Sequence, residues 1–374
     1  MLAVLAGFSR HLQRLWWRPR LAPLTALLLP LAWLVGAEAA RRRAAASSRA
    51  RADAPLPVPV IVVGNVIVGG AGKTPTVIAL VALLRSWGLH PGIVSRGHGR
   101  AGDAPLLLDA ATPPGQAQPR AFGDEPVLMH RRTGAPVAVA RRRRDAALHL
   151  LQAHPDVDVL IADDGLQHHA LPRDVEIVVF DGRGVGNGQV LPAGPLRERT
   201  RSLWPRGTRS SRARAVARLV LVNGRWPASP ALPMPAPVNV CWEADRALGG
   251  AVELGAWRRG EPARIATLES LRGRPLLAAA GIGDPERFFS MLEARDLHIA
   301  RMPLADHASF DPLPWDARTP DVVVTEKDAV KLDERQLGTT RVWVVTLDFG
   351  LPDGLARALR EALAARRPAG PASD

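Results

Sequence analysis

Residues 58–80, VPVIVVGNVIVGGAGKTPTVIAL, restrict what this chain can fold into more than any other stretch. Residues 58–63 are β-branched and almost wholly apolar, interrupted by Pro59, and read as a strand buried on both faces. A turn with Gly69, Gly70 and Gly72 follows, and Lys73-Thr74 then opens a helical apolar pattern through Val77, Leu80 and Leu84. Strand, glycine loop, Lys-Thr and helix form a phosphate-binding arrangement. The backbone N–H groups from Gly69 through Ala71 to Gly72 are expected to face phosphates, and the helix N-terminus adds positive potential. Lys73 would neutralise the terminal phosphate oxygens, and the Thr74 hydroxyl would hold Mg²⁺. The strict pattern asks for a glycine five residues before Gly72, where this chain has Ile67; its upstream glycine is Gly64. The alternative is a glycine-rich β-α turn with an incidental Lys-Thr. The strand before and the helix after favour a nucleoside-triphosphate loop.

Downstream, apolar runs keep ending in polar residues. Residues 91–95 lead into Arg96-Gly97-His98-Gly99-Arg100, and 135–140 into Arg141 to Arg144. Residues 157–162 end in Asp163-Asp164-Gly165, and 175–180 end at Asp181. With helical patterns between them, these predict an α/β fold, a P-loop NTPase-like parallel sheet with helices on both faces. Ligands gather at the carboxyl ends of such strands, which is where Lys73, Arg96, Asp124, Asp163 and Asp164 fall. Residues 101–120, rich in Ala, Pro and Gly, read as an irregular loop. The nucleotide domain is expected over 46–198, an arginine-rich linker over 199–218, and a second, smaller α/β domain across a cleft over 219–366. A tail of residues 367–374 completes the chain.

The N-terminal part, 1–45, contains seventeen residues without a charge (21–37), followed by Arg41-Arg42-Arg43. Spanning a bilayer takes about 20 apolar residues, and this run is interrupted by Pro23 and Pro30. Trp16, Trp17 and Trp33 suit a membrane interface and the arginines suit anionic headgroups, so a membrane-associated helix is expected. A buried helix of the soluble fold and a cleaved signal segment are the alternatives. Cleavage would export a nucleotide-using domain to a place without ATP. The net charge of +13 suits a polyanionic partner, whether nucleic acid, anionic lipid or a phosphorylated substrate. The absence of tyrosine and the scarcity of aromatics count against stacking platforms for nucleic acid, and no nucleic-acid partner is expected. A single cysteine, Cys241, excludes an internal disulfide framework and a multi-cysteine zinc cluster.

The acids at the sheet edge carry the chemistry. Asp163-Asp164 after a short apolar strand offers hard oxygen ligands for a Mg²⁺·nucleotide, in preference to a turn cap before Gly165. In Gly123-Asp124-Glu125-Pro126 one acid could be a general base and the other a metal ligand, or Asp124 could simply cap a helix. His307 could orient a carboxylate base, or be a surface or core histidine. Arg141 to Arg144 could be a solvated helix face or could meet anionic substrate groups. Leu191 to Glu198 reads as a rigid loop presenting Arg197 and Glu198.

Together, VGNVIVGGAGKTP, GIVSRGHGR, GDEPVLM, DVLIADDGLQH, VVFDGRGVGNGQVLPAGPLRE, AAAGIGDPERFF, LADHASF and VVVTEKDAVKL closely resemble the tetraacyldisaccharide 4'-kinase family, the lipid A 4'-kinases of Gram-negative bacteria. The resemblance runs in order from about residue 58 to 332. It implies transfer of the ATP γ-phosphate to the 4'-hydroxyl of an acylated glucosamine disaccharide 1-phosphate at the cytoplasmic face of the inner membrane. No obligate protein partner is implied. It also implies that Lys73 and Thr74 hold phosphates and Mg²⁺, and that Asp124 is the base, assisted by His307. Glu125, Asp163 and Asp164 would serve the metal and triphosphate, and Arg144, His168, Arg197 and Glu198 would line the site. His98 stands where an aromatic such as tyrosine is expected.

Overall fold

The structure, a computed structural model, describes residues 12–18, 20–52, 55–100, 102–113, 118–200, 216–226, 241–316 and 318–365. The expected tail and most of the arginine-rich linker lie outside these residues. The fold is α/β with a large mixed sheet. Its strands are β1 (Val60–Gly64), β2 (Pro91–Ser95), β3 (Leu106–Leu108), β4 (Val137–Val139), β5 (Val159–Asp163) and β6 (Val175–Asp181). They continue as β7 (Ala217–Asn223), β8 (Trp242–Glu253), β9 (Leu276–Ala280), β10 (Ile299–Pro303), β11 (Asp321–Thr325) and β12 (Arg341–Gly350). Two compact units are interleaved along the chain. One comprises Met1–Lys73, Val157–Asp245 and Leu351–Asp374, the other Thr74–Asp156 and Arg246–Gly350.

In the first unit β1 lies between β5 and β6, parallel to both, and β6 continues to β7 and β7 to β8, again in parallel. Every residue of β1, β5 and β6 is buried, which is why these strands read as continuous apolar runs without alternation. The register pairs Val63 with Asp163 and Gly64 with Val178, while Asp181 pairs with Asn223. Parallel pairing therefore gathers the ends of β1, β5, β6 and β7 at one sheet edge.

The opposite end of β1 is pinned by Asp174. Its Oδ2 accepts the Val60 N–H at 2.9 Å, and its own N–H donates to the Val60 carbonyl. On β6 the buried Glu176 accepts from Arg173 at 3.0 Å and from Arg218. Burial pushes this carboxyl up, but the two guanidinium groups outweigh it and hold Glu176 below its ordinary value.

The N-terminal segment folds as helices Pro23–Leu27 and Leu29–Ala52, the second running well past the apolar stretch through Arg41 to Arg43. Among the described residues no helix is long and apolar enough to cross a membrane. Trp16 departs from the interfacial expectation. It is buried, and its Nε1 donates to the Pro192 carbonyl at 3.0 Å.

In the second unit β9, β10, β11 and β12 are parallel, in the order β10-β9-β11-β12. Phe289, Leu271 and Leu292 fill one core cluster, and Phe310, Trp257 and Trp315 another. β10 escapes sequence reading because, at the end of its row, it buries none of its five residues and carries Arg301. In the same unit β2 pairs with β4 in parallel, and β3 lies antiparallel to β4. The expected irregular loop over 101–120 thus contains a strand, the Leu106-Leu107-Leu108 triplet, which finds its partner in β4.

Removing the Glu176 carboxylate strands two cations against the first unit's sheet. Glu176→Ala is expected to cost about 3–5 kcal/mol in denaturant unfolding. Because the folded carboxyl is held below its usual value of about 4.3, its stabilisation is present above that pH and lost as pH falls further. Glu176→Gln should flatten that part of the acid-unfolding profile.

Candidate active site

Residues 64–73 form the first functional constellation, all in the first unit. Ile67 explains why this loop departs from the strict glycine pattern. It is fully buried and bridges Leu196, with Val68 N–H donating to the Pro195 carbonyl at 2.9 Å and Arg197 N–H to the Val66 carbonyl at 2.7 Å. The early part of the loop is thus stitched to the Leu191–Glu198 segment, and its glycine turn begins only at Gly69.

Gly72 has a φ of 93°, and a Cβ added there would lie 2.0 Å from Asn223 Nδ2. That amide, at the end of β7, donates to the Ala71 carbonyl at 3.1 Å. Asn65 Nδ2 donates to the Gly69 carbonyl at 3.1 Å, while its Oδ1 accepts from Lys73 Nζ at 3.3 Å. Lys73 begins the helix Lys73–Ser86, so its ammonium and the helix N-terminus share one place in the chain. Thr74 follows in the first turn and is buried.

Asp163, at the end of β5, is 1% exposed, whereas Asp164 is half-buried with a φ of 44°. Lys73 Nζ is 3.6 Å from Asp164 Oδ1, and Arg197 Nη1 is 3.2 Å from the same oxygen. Arg197 of the predicted rigid loop thus reaches Asp164, while Glu198 meets Gln167 and Arg43. Gln167 links them, donating to the Asn65 carbonyl at 3.0 Å and to Glu198 Oε1 at 3.2 Å. Arg43 from the long N-terminal helix pairs with Glu198 at 2.8 Å. His168 lies in the turn after Asp164, its carbonyl accepting from Arg173. At the end of β6, Asp181 holds Arg183, whose guanidinium stacks 4.3 Å over Trp17 and reaches the Gly70 carbonyl at 3.4 Å.

The second constellation lies wholly in the second unit. The helix Asp124–Thr133 starts from Gly123, with no side-chain cap, so Asp124 is not the helix cap. Gly123 has a φ of 94°, and an added Cβ would meet the His98 carbonyl at 2.9 Å. This close approach brings the Arg96–Arg100 loop to the helix start. Asp124 is 7% exposed, and its Oδ2 accepts from His307 Nδ1 at 2.9 Å. His307 itself has a φ of 60°, in the left-handed region unusual for a non-glycine residue. The His98 ring lies 5.1 Å from the His307 ring, so an imidazole occupies the place expected for a larger aromatic.

The segments AAGIGD and TEKDAVK hold this histidine. Asp328 is fully buried; its Oδ2 accepts the Gly281 N–H at 3.0 Å and the Thr325 hydroxyl at 2.7 Å. Gly281 in turn accepts the His307 N–H at 3.3 Å. Lys331 pairs with Asp328 at 2.8 Å and donates to the Ala308 carbonyl at 3.2 Å. Lys327 lies at the centre of the cluster, 3.0 Å from Glu125 Oε1, 3.1 Å from Asp306 Oδ1 and 3.3 Å from His307 Nε2.

Burial pushes the Asp124 carboxyl up, but the His307 hydrogen bond and the Lys327, His307 and Lys331 charges outweigh it and hold it below its ordinary value. The bond to Asp124 raises His307, against burial and the Lys327 ammonium. Burial lowers Lys327, but Glu125, Asp306 and Asp124 overcome it and hold its ammonium charged.

Arg144 stands in the first turn of the helix Arg143–Ala153 and is half-buried, next to the buried Arg143. Sequence reading gave no role to Asn65, Asn223, Arg183 or Lys327. Asn223 could have been found by the signal that found Asp163, a polar residue ending an apolar strand. Lys327 also follows an apolar strand, at Val322-Val323-Val324, but its partners are distant in sequence and nothing local sets it apart from its neighbours.

A family model described as tetraacyldisaccharide-1-P 4'-kinase matches residues 24–364. The chain is similar to proteins named tetraacyldisaccharide 4'-kinase. That of Methylibium petroleiphilum is 49% identical, with 93% of this chain and 92% of the relative covered. That of Leptothrix cholodnii is also 49% identical (91% and 92% covered), and that of Dechloromonas aromatica 43% (96% and 99%). In fold it is similar to a crystal structure of LpxK from Aquifex aeolicus in complex with ATP, with a TM-score of 0.67 at 24% identity, covering 91% of this chain and 99% of that one.

The fit of Asn223 against Gly72 yields a sharp test. Gly72→Ala adds both a steric clash and a disfavoured backbone conformation, costing about 1–3 kcal/mol. ATP affinity, measured calorimetrically, should fall by roughly tenfold or more.

Proposed function

The chain belongs to the tetraacyldisaccharide-1-P 4'-kinase family, and from that premise we propose that it transfers the γ-phosphate of ATP to the 4'-hydroxyl of tetraacyldisaccharide 1-phosphate, forming the 4'-phosphorylated lipid A precursor. The observation that carries the reading is the buried Asp124 carboxylate bonded at 2.9 Å to an imidazole. A hydroxyl attacking phosphorus must lose its proton, and an ionised carboxylate is the group that takes it.

Phosphoryl transfer asks for little covalent chemistry and much charge placement. The glycine turn and the helix N-terminus present N–H groups to the triphosphate. Lys73 neutralises the oxygens on which charge accumulates. Asp124 accepts the hydroxyl proton, and His307, through Nδ1–H, orients the accepting carboxylate. Arg197, Arg144, His168 and Glu198 are assigned to the anionic headgroup and the surrounding polar contacts.

A divalent cation fits the donor set. Asp163 is a buried carboxylate at a strand end, with Asp164 beside it as a second hard-oxygen donor. Among the described residues no group of three His, Cys, Asp or Glu side chains could hold a metal ion. Asp163 and Asp164 would hold a Mg²⁺ ion, which would supply neutralisation of the charge that develops on the transferring phosphoryl group. Glu125, also expected to serve the metal, is paired with Lys327.

The N-terminal helices supply the means of reaching a lipid. Leu27 is 79% exposed, Trp33 62%, Leu34 60% and Leu31 50%, with the exposed Arg41 and Arg42 further along the same helix as Trp33. An apolar surface followed by arginines suits an interfacial position on anionic lipid, and use of ATP assigns it to the cytoplasmic face of the inner membrane.

Asp124→Ala should lower kcat by about 10²–10⁴-fold while ATP affinity changes by less than about twofold. Near-normal turnover would remove Asp124 as the base. In flotation with anionic phospholipid vesicles the wild type should rise with the lipid, and Trp33→Glu combined with Leu34→Glu should stay behind. Unchanged flotation would contradict the interfacial assignment.

A further inference from the structure

Lys327 occupies a position that the assignment of Asp124 and His307 does not use. His307 Nδ1 faces Asp124 Oδ2 at 2.9 Å, and its other ring nitrogen, Nε2, faces Lys327 Nζ at 3.3 Å. The ammonium is fixed there by Glu125 Oε1 at 3.0 Å and Asp306 Oδ1 at 3.1 Å, and the Lys327 side chain is 15% exposed. A lysine ammonium only donates hydrogen bonds. A ring nitrogen meeting it at this distance must offer its lone pair, because two N–H groups would point at one another. The single ring proton then sits on Nδ1 and is given to Asp124.

We infer that Lys327 is a positioning residue of the kinase reaction, which by donating to His307 Nε2 favours the neutral Nδ1–H imidazole against the pull of Asp124. The inference rests on the reading of Asp124 as the base. With a neutral ring, Asp124 is spared the further charge of an imidazolium and keeps more of its basicity towards the hydroxyl proton. With an imidazolium beside it, the carboxylate becomes half of an ion pair and a weaker base.

The other groups facing the ring do not supply this control. Asp306 lies 3.8 Å from Nε2 and, as an anion, favours the doubly protonated ring. Asp124 does the same from Nδ1. The His98 ring, at 5.1 Å and tilted by 57°, packs against the imidazole. Lys327 alone among these opposes protonation of Nε2, and the same ammonium keeps Asp306 and Glu125 occupied.

The test uses the full chain in detergent, labelled with ¹⁵N-histidine, in two-bond proton–nitrogen correlation spectra at mildly alkaline pH. The His307 signals are identified by their loss in His307→Asn. In the wild type Nε2 should carry no proton. Lys327→Met, which keeps the chain length and removes the charge, should protonate Nε2 at the same pH. It should also lower kcat by roughly tenfold or more, with KM for ATP and for the lipid changed by less than about twofold. Lys327→Arg, which restores a cationic donor, should return the unprotonated Nε2 and part of kcat.

A protonated Nε2 in the wild type would overturn the proposal. A loss of kcat in Lys327→Met with the ring unchanged would do so too, leaving Lys327 a purely structural ion-pair centre. The ring is read without turnover, so a wild type that fails to transfer phosphate would overturn the kinase reading separately.

Discussion

The arrangement depends on one constraint, the parallel pairing of β1 with β5 and β6. A strand buried on both faces can present chemistry only at its ends. Its register sets Asp163 opposite Val63, one residue before Gly64 and the loop that leads to Lys73. The ammonium is then drawn to Asp164 and Asn65, and Arg197 closes on the same Asp164 oxygen. A one-residue slip in β5 would exchange the faces of its side chains and remove Asp163 from that edge.

The second constellation is built on a different principle. No single strand delivers it. Asp124 comes from a helix start, His307 from a loop in a left-handed conformation, and Lys327 from the short helix Glu326–Ala329. What joins them is a buried polar network centred on Asp328, whose carboxylate binds the Gly281 N–H, the Thr325 hydroxyl and Lys331. Such networks are costly when partly satisfied and specific when complete. The strain at His307 is sustained by these surrounding bonds.

Most of the strands up to β6 were legible because buried parallel strands leave continuous apolar runs, and β2 and β6 match their expected ranges to within a residue. What escaped has physical causes. β10 buries none of its residues, β3 is three residues long, and neither produces periodicity. Asp124 and His307 were legible as chemistry, but only the family resemblance joined them as partners, since 183 residues separate them and contact at that range leaves no local pattern. Trp16 shows the converse error. A tryptophan beside arginines has the composition of a membrane interface, yet its indole is buried against the Leu191–Glu198 loop. Ile67, a departure from the expected glycine, is accounted for by the bridge to Leu196.

We propose that one chain carries both a triphosphate cradle and a carboxylate base for transfer to a lipid sugar. The most direct measurement supplies γ-labelled ATP, Mg²⁺ and tetraacyldisaccharide 1-phosphate to the purified protein in detergent, with Lys73→Ala beside it, and locates the label in the product. The account predicts label on the 4'-oxygen of the lipid with the wild type and none with the variant. Nucleotide hydrolysis that neither needs nor labels the lipid would contradict it.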